Sequence, residues 1–143
     1  MVSYSRESLT LLPWAYLELG EVDRAQALLD QVLSTARQAR MKPTLVQALR
    51  VQALVFSKQE RWEEAEHSLE EALSLCWGMG TRYAEAKTLY TAGLVSQQKR
   101  EWAPARERFE AALKILEHLG ERLYARYIVQ LISLKEARND STG

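Results

Sequence analysis

Few residues in this chain have the types and spacing that chemistry requires. His67 and His118 lie far apart, in segments that repeat one another, and fall outside the apolar stripes, which predicts two solvated surface side chains. Cys76 is the single cysteine, with no cysteine or histidine at a zinc-binding spacing. Its place near the end of an apolar stripe predicts a small buried thiol. Gly78 and Gly80 have a superficial likeness to a phosphate loop, but the Lys-Ser/Thr that completes one is absent and no strand precedes them. They predict a helix stop. The glutamates Glu63, Glu64, Glu66, Glu70 and Glu71 predict a solvated face, favourable near a helix N-terminus. Catalysis needs a nucleophile with its base, a paired acid and base, or a metal cluster, and no such constellation is visible. The expectation is a protein that is not an enzyme and uses no cofactor and no metal.

Composition narrows the partners. The 143 residues allow one domain or a short stack of repeats. They are 47% hydrophobic and 27% charged, which is globular, and the 19 basic residues balance the 19 acidic ones. A chain with no net field has little to draw in nucleic acid or hold a membrane surface. Its apolar runs fall well short of the roughly 20 residues that a bilayer crossing needs. A lone cysteine and an N-terminus, MVSYSRESLT, without a basic start and apolar run predict a cytoplasmic location.

The dominant feature is internal repetition, which has to be found before elements are assigned. The segments EVDRAQALLDQVL, RWEEAEHSLEEAL and EWAPARERFEAAL align without gaps and place Ala25, Ala65 and Ala105 at intervals of 40 residues. The same register aligns Val22, Trp62 and Trp102, then Leu29, Leu69 and Phe109, then Leu33, Leu73 and Leu113. Within each segment apolar residues recur at steps of three and four, the stripe of an amphipathic helix. Upstream of each lies another such stretch, at roughly 3–19, 43–59 and 82–99, so each repeat reads as helix, turn, helix. Small residues at Ala53 and Gly93 let two helix backbones approach. Gly93 costs about 1 kcal/mol of helix propensity relative to alanine, so its presence predicts a contact that tolerates no side chain.

These residues resemble the tetratricopeptide repeat family. The third repeat carries Leu89, Gly93, Trp102, Ala105, Phe109 and Ala112, and the second Leu49, Ala53, Phe56, Trp62, Ala65, Leu69 and Ala72. The first has Leu9, Tyr16, Ala25 and Leu29, with Pro13 where a small residue belongs. A period of 40 exceeds the usual 34 of the family, and the added length is expected at the connections QARMKPT, WGMGTRY and LGERLY. Long repeats of this kind also look like those in the C-terminal regions of bacterial signal-responsive regulators. The resemblance implies an all-α fold, an α-α superhelix of three helix-turn-helix repeats at about 3–42, 43–81 and 82–120. A closing helix at 121–138 brings the total to seven helices, all in one domain, 1–143, which could be a segment of a larger protein.

In the resembled family the first helix of each repeat lines a concave groove that receives a peptide or partner protein. Projecting that face here selects Trp14, Leu17, Gln47, Arg50, Leu54, Lys87, Tyr90, Leu94, Tyr127 and Gln130 as the partner-binding set. Aromatic side chains and arginine anchor interfaces most often, which singles out Trp14, Arg50, Tyr90 and Tyr127. The implied function is a protein-binding scaffold, with the sensing part of a regulator of transcription as the finer reading. The alternative is self-assembly as a homo-oligomer. The closing helix is apolar around much of its circumference, with Tyr124, Ile128 and Leu131 as candidate contacts, whereas the end of a repeat stack is ordinarily polar.

Overall fold

The computed structural model describes Pro13 and residues 17–142. The described residues form six helices and no strand: α1 (Val22–Gln38), α2 (Lys42–Lys58), α3 (Trp62–Met79), α4 (Arg82–Gln98), α5 (Trp102–Leu119) and α6 (Leu123–Thr142). The fold is all-α, as the periodicity predicts. Pro13, Leu17 and Glu18 are helical; the rest of the helix expected over 3–19, Trp14 included, lies outside the described residues.

The added length of the repeat is not in the connections. The helices α1 to α5 run to 17 or 18 residues, and QARMKPT, WGMGTRY and LGERLY are largely absorbed into them. What separates one helix from the next is a short reversal built on a left-handed residue, and these recur every 20 residues: Gly20, Arg40, Glu60, Gly80, Arg100 and Gly120, with φ between 55° and 78°. After four of them the next amide reaches back five residues: Met41 N–H to Ala36 O at 2.8 Å, and Arg61 to Phe56, Glu101 to Ser96 and Glu121 to Leu116, each at 2.9 Å. That bond satisfies a carbonyl the helix end would leave unpaired. The physical period is therefore a helix-and-turn of 20 residues, used twice per repeat.

The chain divides into two compact units, 1–80 and 81–143. In unit 1, α1 packs on α2 and α2 on α3. The aligned columns form its interior: Ala25, Leu29, Ala53, Ala65 and Ala72 are fully buried, with Leu49 and Leu69 almost so. In unit 2, α4 packs on α5 and α5 on α6. Ala86, Ala105, Phe109, Ala112, Ile115, Leu116 and Ile128 make its core. The tryptophan column behaves differently from the alanine column. Trp62 is half-buried and Trp102 is exposed, so these rings mark helix starts and leave the interior to the alanines.

Gly93 meets the condition its position implies. A Cβ built there would lie 2.9 Å from Cζ of Phe109, 2.5 Å from Cδ1, and nearer still to Cε1. The ring occupies the volume an alanine methyl would need. Gly80 ends α3 in the left-handed conformation, whereas Gly78 sits inside that helix with open space beside it, so one of the two glycines is the stop.

Candidate functional site

In unit 2, α4 and α6 bring four tyrosines and a lysine into one connected set. Tyr83, Lys87 and Tyr90 follow one another on α4 at steps of four and three, which places them on one face. Tyr124 of α6 stands against that face, its ring centroid 6.3 Å from Tyr83 and 5.6 Å from Tyr90, both edge-on. Tyr127 continues the set 6.3 Å from Tyr124. Tyr90 in turn rests 6.0 Å from Phe109, which ties the surface rings to the core. The Lys87 ammonium lies 4.8 Å from the centroid of Tyr83 and 5.9 Å from that of Tyr124. Edge-on ring pairs contribute about 0.5–1.5 kcal/mol beyond their burial, and a cation over a ring about 0.5–1 kcal/mol at an exposed site.

Local structure fixes this geometry from both sides. The carboxylate of Glu121 accepts the amides of Leu123 at 2.7 Å, Tyr124 at 3.1 Å and Ala125 at 3.3 Å. A negative group on the open amides of a helix start is favourable, and it sets where α6 begins. Ile128, fully buried, then fixes the helix rotation. On α5, the guanidinium of Arg108 donates to Ala92 O at 3.1 Å and Ser96 Oγ at 2.7 Å, bracing α5 against α4.

Of the residues expected to bind a partner, Lys87, Tyr90 and Tyr127 come together here. Lys87 and Tyr90 are half-buried, while Tyr83 and Tyr127 are 42% and 46% exposed. Leu94 is half-buried against the core, and Gln130 is exposed further along α6. Tyr83 was not among the expected residues. Its spacing from Lys87 and Tyr90 was the signal that could have found it. Tyr124, expected as a self-association contact, is the hub of the aromatic set. Ile128 and Leu131, expected alongside it, pack into unit 2, so a charge at Ile128 would probe folding and not a surface.

Unit 1 presents a plainer face. Gln47, Arg50 and Leu54 are half-buried on α2, and Leu17 is buried. The Arg61 guanidinium lies 4.7 Å from the centroid of Phe56. An ion pair joins the other two helices of the unit: Arg37 of α1 donates twice to the Glu71 carboxylate of α3, at 2.7 and 2.9 Å. Those hydrogen bonds hold the Glu71 carboxyl below its ordinary pKa and raise that of Arg37. The arrangement clamps α1 to α3.

His67 and His118 are exposed, and Cys76 is buried. Among the described residues, no three His, Cys, Asp or Glu side chains are gathered as metal ligands would be, and no helix is long and apolar enough to cross a membrane. The tyrosine and lysine face presents rings to apolar side chains, with an ammonium held among them, which is recognition chemistry.

Comparison with known proteins places the repeat. A family model described as tetratricopeptide repeat matches residues 44–118, and a second with the same description matches 8–40. No curated protein and no solved structure matches the chain.

Proposed function

Since the chain belongs to the tetratricopeptide repeat family, whose repeats are generally protein–protein interaction modules, we propose that it holds a partner protein or peptide chiefly through the tyrosine and lysine face of unit 2. The observation that carries this reading is the placement of Lys87 against Tyr83 and Tyr124, with Tyr90 and Tyr127 in contact with the same ring. Interface anchors are typically aromatic or arginine side chains held rigid before binding, because a side chain already ordered loses little entropy in the complex. Rings locked edge-on satisfy that requirement. Tyr83, Lys87, Tyr90 and Tyr127 are the contacts in unit 2, with Leu94 and Gln130 beside them; Gln47, Arg50 and Leu54 are a second, weaker set in unit 1.

The activity is binding, without catalysis or a cofactor, in a cytoplasmic setting. In a regulator of transcription, this module would be the part that senses a partner. The test is to select a randomised display library of peptides on the full chain and counter-screen the survivors on Lys87→Glu and Tyr127→Ala. Enriched peptides should lose binding to both variants while the variants melt like the parent. Enriched peptides indifferent to both substitutions would move the site elsewhere.

A further inference from the structure

Overall neutrality hides a division of charge. Unit 1 carries 8 lysines and arginines against 11 acidic residues, a net of −3, and unit 2 carries 11 against 8, a net of +3. An asymmetry of this kind between halves of a chain is a statement about association. The acidic excess lies on α3, which carries five glutamates and no lysine or arginine, and two of the arginines of unit 2 share an exposed face at the start of α6.

On α3 of unit 1, Glu63, His67, Glu70, Ser74 and Trp77 follow one another at alternating steps of four and three, and every one is exposed. Trp77 is 63% exposed, which is unusual for so large an apolar ring. Glu66 lies beside this stripe, four residues before Glu70. On α6 of unit 2, Arg122, just ahead of the helix, and Arg126 and Val129 share a face and are exposed, with Leu123 at its edge. Val129 is 49% exposed and Leu123 56%. One face is acidic with an apolar ring at its C-terminal end; the other is basic with apolar residues alongside.

We propose that these two faces are partners, the α3 face of one copy docking on the α6 face of a second copy. The spacing supports the match. Arg122 and Arg126 are four residues apart, as are Glu66 and Glu70, so two parallel helices bring both pairs into register. The same register carries Trp77 onto the turn of α6 beyond Val129. The indole and Val129 supply apolar burial and the charges supply orientation, since complementary charges select the partner and its register more than they add affinity. Because the faces are unlike, association satisfies them as a reciprocal pair, a closed ring or an open chain of copies. At the start of α6 the assembly uses Arg122, Arg126 and Val129, a face that Gln130 borders, and its test reads mass on variants that keep Lys87, Tyr90 and Tyr127, so its failure is distinct from failure of the proposed binding function.

The experiment is sedimentation or light scattering on the full chain from micromolar to millimolar concentration, at low and at high salt. The parent should rise above the 16.4 kDa of one chain with concentration at low salt and fall back as salt screens the pairs. Arg122→Glu with Arg126→Glu should abolish association, as should Glu66→Lys with Glu70→Lys. An equimolar mixture of the two double variants should regain it, because acidic and basic faces are again available to one another. A parent that stays at the mass of one chain overturns the proposal. So does association that ignores salt and charge reversal, or a mixture of folded variants that remains dissociated.

Discussion

Unit 1 and unit 2 close the same helix pair with different atoms. In unit 2 the pair is Gly93 on α4 and Phe109 on α5; forty residues earlier the equivalent positions on α2 and α3 hold Ala53 and Leu69, also buried. A methyl lost from one helix is matched by a ring gained on the other. The repeat keeps its interior filled while residue types drift, as close packing demands. The exchange also reaches the surface, because Phe109 supports Tyr90 and through it the aromatic set. Where unit 2 has Tyr83, Lys87 and Tyr90, the equivalent positions of unit 1 have Pro43, Gln47 and Arg50.

The largest effect should come from breaking this compensation. Gly93→Ala drives a methyl into the Phe109 ring, a kind of overpacking that costs about 1–3 kcal/mol, offset by up to about 1 kcal/mol of helix propensity. Phe109→Leu alone should also destabilise, by leaving a cavity. The double variant Gly93→Ala/Phe109→Leu recreates the pair found in unit 1 and should recover most of the loss. Urea melts of the four proteins check this, and additive losses would mean that the two sites do not share one space.

A smaller contrast lies in the turns. Gly80 and Gly120 hold the left-handed conformation at little steric cost, whereas Arg40, Glu60 and Arg100 hold it with a Cβ. Replacing any of these three with glycine should stabilise the chain by about 0.5–1 kcal/mol, and Gly120→Ala should destabilise it by about 1 kcal/mol. Thermal melts that show no gain at Arg40, Glu60 and Arg100 would contradict the strain argument.

The smallest effect is electrostatic and confined to unit 1. The folded Glu71 carboxyl has a lowered pKa, so its stabilisation is full above the unfolded carboxylate pKa and disappears as pH falls through the folded one. Arg37 is half exposed, so solvent screening limits the pair to under about 1 kcal/mol. Glu71→Gln should lower stability slightly at neutral pH, and the difference from the parent should vanish in acid. A difference that persists at low pH would point to packing and not charge.

The fold was legible because burial repeats. Ala25, Ala65 and Ala105 announce the close face in each repeat, and Gly93 announces a contact that its neighbour Phe109 fulfils. The length of the helices was misplaced because QARMKPT, WGMGTRY and LGERLY each hold a reversal of only two or three residues, and a turn residue such as Gly80 or Gly120 marks where a helix stops but not how soon the next one starts. The site was legible in part. Lys87, Tyr90 and Tyr127 follow from helical projection, but the role of Tyr124 depends on its ring contacts with Tyr83 and Tyr90 across two helices. Glu121 on the first amides of α6 and the buried Ile128 fix where that helix begins and which side faces inward, and periodicity does not encode the first of these.

The central claim is that the aromatic face of unit 2, more than the plainer face of unit 1, carries partner binding. Calorimetric titration of a library-selected peptide into the parent, Lys87→Glu and Arg50→Glu tests it most directly. The account predicts a loss of about tenfold or more for Lys87→Glu, as at an interface anchor, and a lesser one for Arg50→Glu. Undiminished binding to Lys87→Glu together with its loss in Arg50→Glu would contradict the claim.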